Sequence, residues 1–369
     1  MKEKICLLCV TALCWAGVEA AAALWTFVPS VDRGPVDSLL NSVAAVSVND
    51  VWAAGHWYDS NAAGYRTLIE RWNGSAWRVV STPNVGAGYN ELNGIAVASD
   101  GEAWAVGYWT TATYGYSKTL VLHWNGLSWS VVPSPNPGPG NNVLYGVTAV
   151  SPGDAWAVGW YYDAQFIGRP LVLRWNGSAW MQVAAPSAST YFNALQSVTA
   201  TGPADAWAGG YAKVNDRYAT FLEHWDGSTW TVVPSPNVGA KHNRVRAVSA
   251  VSALDAWAVG ESTTGGSLIE HWNGSAWSVV DHPLPSAGTH TFWGVSARAA
   301  DDAWAVGYVN DAGVIHPIIQ HWNGTAWQVE TPAAASPRPW LTAVSAPAGG
   351  DVWAVGGTGS ATLTMRRAQ

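Results

Sequence analysis

Beyond residue 14 the chain has no cysteine, because all three, Cys6, Cys9 and Cys14, fall in its first fourteen positions. The remainder can form no disulfide and offers no thiol nucleophile or thiolate metal ligand, so its stability must come from packing. Charge is scarce as well, at 12% of residues against about 25% in an average globular domain. Only 18 Lys and Arg are spread over 369 residues of net charge −7, which argues against a nucleic-acid partner, since phosphate is neutralised by clustered cations. Methionine occurs three times, whereas 38 Gly, 20 Pro and 26 Trp accompany abundant Val, Thr and Ser. That balance suits strands and turns rather than long helices. A hydrophobic content of 49% excludes a disordered chain. No H-E-x-x-H, G-x-S-x-G or phosphate-binding loop occurs, so no catalytic residue, metal or cofactor is expected.

Residues 1–20 read as a secretory signal: Lys2 and Lys4 precede an apolar run from Ile5 to Val18, and Val18-Glu19-Ala20 offers a cleavage site. Residues 21–369 are then expected to be exported, either secreted or held at the cell surface or in the periplasm. They would form a single domain without a membrane span, since no other run reaches about 18 apolar residues.

Self-similarity organises that domain. An acidic-x-Trp-Ala-x-Gly pattern recurs seven times, with its tryptophan at Trp52, Trp104, Trp156, Trp207, Trp257, Trp304 and Trp353, at spacings of 47 to 52 residues. A second pattern follows about twenty residues later in six repeats: Arg71-Trp72-Asn73-Gly74, His123-Trp124-Asn125-Gly126, Arg174-Trp175-Asn176-Gly177, His224-Trp225-Asp226-Gly227, His271-Trp272-Asn273-Gly274 and His321-Trp322-Asn323-Gly324. Each repeat reads as four short strands, the first led by a small residue (Ser42, Gly94, Gly146, Ser197, Ala247, Gly294 or Ala343), as expected where strands crowd an axis. Asn-Gly between the third and fourth strands suggests a type I′ hairpin. Four antiparallel strands per fifty residues describe a propeller blade. The last repeat stops one strand short, and residues 24–30 match Ser128-Trp129-Ser130-Val131-Val132-Pro133-Ser134, so they are expected to complete a last blade formed by 340–366 plus 24–30. The expectation is an all-β, seven-bladed β-propeller closed at that seam.

At Ala155-Trp156-Ala157-Val158-Gly159 and Glu270-His271-Trp272-Asn273-Gly274 the repeat resembles the kelch type, including the galactose oxidase group. Ser99-Asp100-Gly101-Glu102-Ala103-Trp104 carries a secondary resemblance to tectonin-like lectin propellers. The kelch likeness spans about residues 21–369 and implies a propeller. It departs from the family's diglycine, which occurs at Gly356-Gly357 but is replaced by His56, Tyr108, Trp160, Tyr211, Glu261 and Tyr308 elsewhere. The galactose oxidase chemistry implied by that resemblance requires a cysteine that the mature chain lacks.

Residues recurring in every repeat read as scaffold. Asp50, Glu102, Asp154, Asp205, Asp255, Asp302 and Asp351 suggest Asx-type turns, and the Arg or His before the third-strand Trp suggests a flat cation laid on tryptophan. Asn73, Asn176, Asn273 and Asn323 lie in glycosylation sequons, but the turn alone accounts for them. Function is expected where repeats differ, on the face carrying the loops between second and third strands and the links between blades. Its aromatic and acidic residues, Trp57, Tyr58, Asp59, Trp109, Tyr114, Tyr116, Trp160, Tyr162, Asp163, Tyr211, Trp293 and Trp340, are the candidate ligand-binding set. They suit a glycan, through stacking on sugar rings, or a protein partner. The expected function is a non-catalytic, monomeric binding or interaction module. The alternatives are a carbohydrate-active enzyme (glycoside hydrolase or lyase) using Asp59, Glu91, Asp163 or Asp216, or a cell-envelope structural protein.

Overall fold

The computed structural model describes residues 25–369 except 35, 99–100, 113–114, 264–265 and 333–338. The proposed signal, Leu24 and Tyr114 therefore lie outside the described residues. Those described form strands and turns without a helix, and no helix is long and apolar enough to cross a membrane.

The strands assemble into six sheets, five of four strands and one of eight. The eight-stranded sheet consists of two four-stranded antiparallel sets that meet through one parallel pair, Gly168 with Phe192. The innermost strands of successive repeats are Ser38–Ser47, Asn90–Val97, Asn142–Ser151, Phe192–Gly202, Asn243–Ser252, Thr289–Ala299 and Trp340–Ser345. Each packs against the next and the last packs against the first, which closes a ring. Crowding at the axis explains the small residues: a Cβ on Gly146 would lie 2.9 Å from Ser197 Cα, and one on Gly294 would lie 2.8 Å from Ala343 Cα. At the seam the N-terminal strand Thr26–Phe27 pairs with Arg366 and Met365, and Val28 N–H donates to Thr364 O at 3.0 Å.

Tryptophan forms the joint between neighbours. Each second-strand indole lies against the third- and fourth-strand indoles of the next repeat, as Trp104 does at 4.8 Å from Trp175 and 5.1 Å from Trp180. The same arrangement holds for Trp52, Trp156, Trp207 and Trp257. Trp353 meets Trp72 and Trp77 across the ring closure. Trp304 departs from the pattern. It receives Trp25 at 5.7 Å, while Arg367 takes the place of the missing third-strand indole and lies 4.7 Å over the ring. Glu330 holds this substitute by accepting from Arg367 Nε at 3.0 Å and from Trp25 Nε1 at 3.1 Å. Indoles bury on the order of 150–250 Å² each, so these joints supply the packing that disulfides would otherwise reinforce.

Two turn expectations are corrected. The repeated carboxylates, expected as Asx-turn acceptors, pair with the basic residue of their own third strand. Asp50 binds Arg71 through two contacts of 2.7 and 2.9 Å, and Asp205 meets His224 Nε2 at 2.6 Å. That pairing holds the guanidinium or imidazole over the second-strand indole, with Arg71 4.5 Å above Trp52 and His224 4.5 Å from Trp207. The Asn-Gly turns are likewise not two-residue type I′ hairpins, because Trp72 pairs with Trp77 and four residues lie between them. Asn73 Oδ1 accepts from the Ser75 and Ala76 N–H groups and from Ser75 Oγ, and only the glycine, Gly74 at φ +92°, is left-handed. The Asx turn thus belongs to this loop, and the hydroxyl of the sequon serves the same carboxamide. Two-residue turns with both central residues at positive φ occur instead at Asn215-Asp216 and Ala312-Gly313, between second and third strands.

Third strands also place Glu70, Glu223 and Glu270 wholly out of solvent. Among the described residues both carboxyl oxygens of Glu223 and of Glu270 lack a well-formed hydrogen bond, and burial pushes each carboxyl up to about 8, against a smaller downward pull from Ser235 at Glu270. At the equivalent position of the next repeat stands Gln320, whose Nε2 donates to Pro283 O at 2.5 Å. A carboxyl whose pKa is higher in the folded than in the unfolded chain stabilises the fold below its ordinary titration range. That contribution is lost as pH rises from about 4.5 to about 8. The Glu223→Gln/Glu270→Gln double variant is expected to melt like wild type at pH 4.5 and to be more stable at pH 8, by several kcal/mol. Denaturation across this range checks it, and parallel pH profiles for the two proteins would contradict it.

Candidate functional site

The innermost strands share one irregularity. In each, the register against the second strand shifts by one residue, leaving Asn41, Asn93, Tyr145, Gln196, Arg246, Trp293 and Thr342 as bulges. A bulge re-aims a side chain, and all seven line one central cavity of about 600 Å³. The bulge also accounts for the repeated Trp-Ala-x-Gly glycine. A Cβ on Gly55, Gly107, Gly159, Gly210, Gly260 or Gly307 would lie 1.9 Å from a carbonyl oxygen of the inner strand, and one on Gly356 would lie 2.0 Å from it. Invariant glycines thus make room for a backbone feature whose own side chain varies.

Some bulge residues tie the ring together. Asn41 and Asn93 each donate through Nδ2, at 2.8 Å, to the Leu92 and Leu144 carbonyls of the next inner strand, and Thr342 Oγ1 donates to Leu40 O at 2.6 Å. Arg246 instead extends toward Glu261, 2.8 Å away, with its guanidinium 4.3 Å over Trp293. Arg244 NH1 reaches the same Glu261 oxygen at 2.7 Å. Burial works against the Glu261 charge, but the two guanidiniums outweigh it and hold the carboxyl below its ordinary range.

Across the ring, repeats one and two bring His56, Tyr65, Glu91 and Tyr108 together. Tyr108 OH donates to Glu91 Oε1 at 2.5 Å, His56 Nδ1 lies 3.7 Å from Glu91 Oε2, and Tyr65 OH donates to Asp37. Burial lowers the His56 pKa despite the two nearby carboxylates. The bond to Asp37 raises that of Tyr65, and burial raises that of Tyr108. Neutral rings therefore accompany the carboxylates here. Asp37 sits at φ +53°, a conformation unusual for a non-glycine residue.

The predicted residues divide into two groups. Trp293 and Trp340 line the cavity. Of the other described ones, Trp57, Tyr58, Asp59, Trp109, Trp160, Tyr162 and Tyr211 lie in the outer halves of second strands rather than in loops, Tyr116 and Asp163 lie just beyond strand ends, and most are engaged with neighbouring side chains or backbone. Trp57 packs beside the cluster of Leu40, Trp72 and Trp353, and Trp109 packs beside that of Trp52 and Leu92. Tyr58 meets Tyr65 edge-on at 5.4 Å, and Trp160 lies 4.8 Å from Tyr162 and 5.1 Å from Phe192. Tyr211 stacks on Phe192 at 6.1 Å. Asp59 accepts the Asn61 and Ala62 N–H groups, and Asp163 accepts from Gln165 N, Ile167 N and Arg169 Nε. Both carboxylates thus shape their own loops. Tyr116 stays 55% exposed, beside Phe166 at 6.3 Å. The bulge residues other than Trp293 were missing from the sequence expectation. Their signal is the varying residue immediately before each small one.

No protein-family model matches the chain, and no curated protein matches its sequence. Among solved structures it resembles YCF48 bound to D1 peptide, with a TM-score of 0.58 and 14% identity over 95% of this chain and 100% of that one. It also resembles YCF48 from Cyanidioschyzon merolae, with a TM-score of 0.59 and 17% identity over 94% of this chain and 99% of that one. The fold is a β-propeller. At such identities the likeness is one of fold.

The bulge geometry carries a prediction. In Gly260→Ala the new methyl meets Arg244 O and must displace backbone, a cost on the order of 2–3 kcal/mol. Gly202→Ala, with nothing within 4 Å, is expected to stay within about 0.5 kcal/mol of wild type. Chemical denaturation distinguishes them, and equal stability of the two variants would contradict the bulge account.

Proposed function

We propose that this chain is a non-catalytic interaction module that receives a peptide segment at the mouth of its central channel. One observation carries the reading: the inner-strand bulge, identical in backbone around the ring, presents different side chains to one cavity. A repeated scaffold with a varied lining suits recognition rather than packing. The lining combines amides, a guanidinium and the rings of Tyr145, Trp293, Tyr308 and Trp340. Aromatic and arginine side chains are those that dominate peptide and protein recognition. The similar structure of YCF48 was determined with a D1 peptide bound, which supports a peptide for a propeller of this shape.

The peptide reading is placed ahead of a glycan on the loop face because Asp59 and Asp163 are committed to turns and the loop rings pack on one another. It is placed ahead of glycoside hydrolysis for a related reason: Asp163 is bound by Arg169, and Asp216 stands 97% exposed beside Lys213. The architecture we propose has seven blades, with the eight-stranded sheet counted as two. Residues 1–20 serve as an export signal, and residues 21–369 form one monomeric domain.

Peptides selected by display on the full chain test the site. Trp293→Ala and Trp340→Ala are expected to weaken binding at least tenfold, while Tyr116→Ala on the exposed loop leaves affinity within about twofold. Loss confined to Tyr116→Ala, or retention on a glycan array with no peptide selected, would overturn the reading.

A further inference from the structure

We infer that the channel mouth holds an anion subsite at Arg246 that takes a carboxylate of the peptide. This deepens the peptide reading above and rests on it. The first observation is stoichiometric. Glu261 accepts Arg244 and Arg246 on the same oxygen, Oε1, and Thr291 Oγ1 on the other at 3.4 Å. One carboxylate thus serves two guanidiniums and leaves a unit of positive charge beside the cavity, in a chain whose net charge is −7.

The second observation is the state of the donors. Arg246 makes a single hydrogen bond among the described residues, from NH2 to Glu261, although a guanidinium carries five N–H groups. Its Nε is buried without a partner, and so is Nε1 of Trp293, the ring beneath it. Unpartnered indole N–H groups recur at the inter-sheet joints, so the weight falls on Arg246 Nε, a buried cationic donor whose missing partner marks an absent ligand or a functional role. Here two orphans belong to adjacent cavity-lining side chains, one of them cationic.

The third is pre-organisation. The Arg246 side chain is only 14% exposed and is fixed by the Trp293 face on one side and Glu261 on the other. A carboxylate arriving from the cavity would meet a planar fork already oriented and partly desolvated, the condition under which Arg–carboxylate pairing is strong. The cavity it lines also presents apolar surface from Val198, Val295 and Ile315, which weakens competition from water there.

The test uses the full chain in two arms. In the first, sodium glutarate is titrated while arginine Nε and tryptophan Nε1 groups are followed by NMR, with glutaramide as the neutral control. Saturable shifts are expected at Arg246 and Trp293 with glutarate alone. Affinity should fall at least tenfold in Arg246→Gln and rise several-fold in Glu261→Gln, which releases both guanidiniums. Arg246→Lys should retain part of the affinity, which separates loss of the subsite from misfolding. Absence of saturable shifts in wild type, or Arg246→Gln and Glu261→Gln titrating like wild type, would overturn the subsite. In the second arm, display-selected peptides are compared as free acid and C-terminal amide, and with acidic side chains changed to amides. A tenfold loss on amidation assigns the terminal carboxylate, and the same loss on side-chain replacement assigns that side chain. Peptides that bind unaltered after both changes overturn the subsite but leave the peptide module standing. Saturable glutarate binding with no peptide selected upholds the subsite and removes the peptide reading.

Discussion

The structure depends on the contact between each second-strand tryptophan and two aromatic or cationic side chains of the next sheet. A chain without disulfides beyond residue 14 has to close a ring from sheets that share few hydrogen bonds with one another. The indoles supply the adhesion, and the acid–cation pairs set their orientation: Asp205 holds His224, and His224 lies on Trp207. Since every joint repeats the same demand, these residues recur with little freedom. Where the chain's ends meet and one indole is missing, Arg367 takes its place and Glu330 anchors the substitute.

That uniformity determines where specificity can lie. The inner-strand bulge is a backbone device, accommodated by a glycine opposite and a small residue beside it, and it turns one side chain per repeat toward the cavity. At that position stand amides, a tyrosine, an arginine, a tryptophan and a threonine, all around one cavity. The loops on the same face vary as much, but their rings and carboxylates are largely consumed in shaping the loops.

Much of the architecture was legible because propellers repeat. The four-strand period, the small residues at the axis and the match between residues 24–30 and the fourth strands all come from comparing the chain with itself. Chemistry within the repeat was harder to assign. Asp50 and its equivalents follow a turn and look like Asx acceptors, but the partner that claims them, Arg71 or its counterpart, lies about twenty residues away on the adjacent strand. Asn73 looks like half of a type I′ pair, yet its carboxamide spans a longer loop. The bulge escaped notice because a one-residue register shift leaves no mark in composition. Only the pairing of Leu40 and Ser42 with consecutive residues of the neighbouring strand reveals that Asn41 is extra. Trp293 and Trp340 were found as tryptophans outside the repeated packing positions, whereas Arg246, immediately before the small Ala247, carried no such signal.

The central claim is that tryptophans here fall into two populations, those that bind neighbouring sheets and those that face the channel. Fluorine NMR of the protein labelled with 5-fluorotryptophan, recorded with and without a selected peptide, tests it directly. The account predicts that the resonances of Trp293 and Trp340 shift while those of the inter-sheet indoles such as Trp104 and Trp257 stay fixed. Shifts at Trp57, Trp109 or Trp160 with Trp293 and Trp340 unmoved would contradict it.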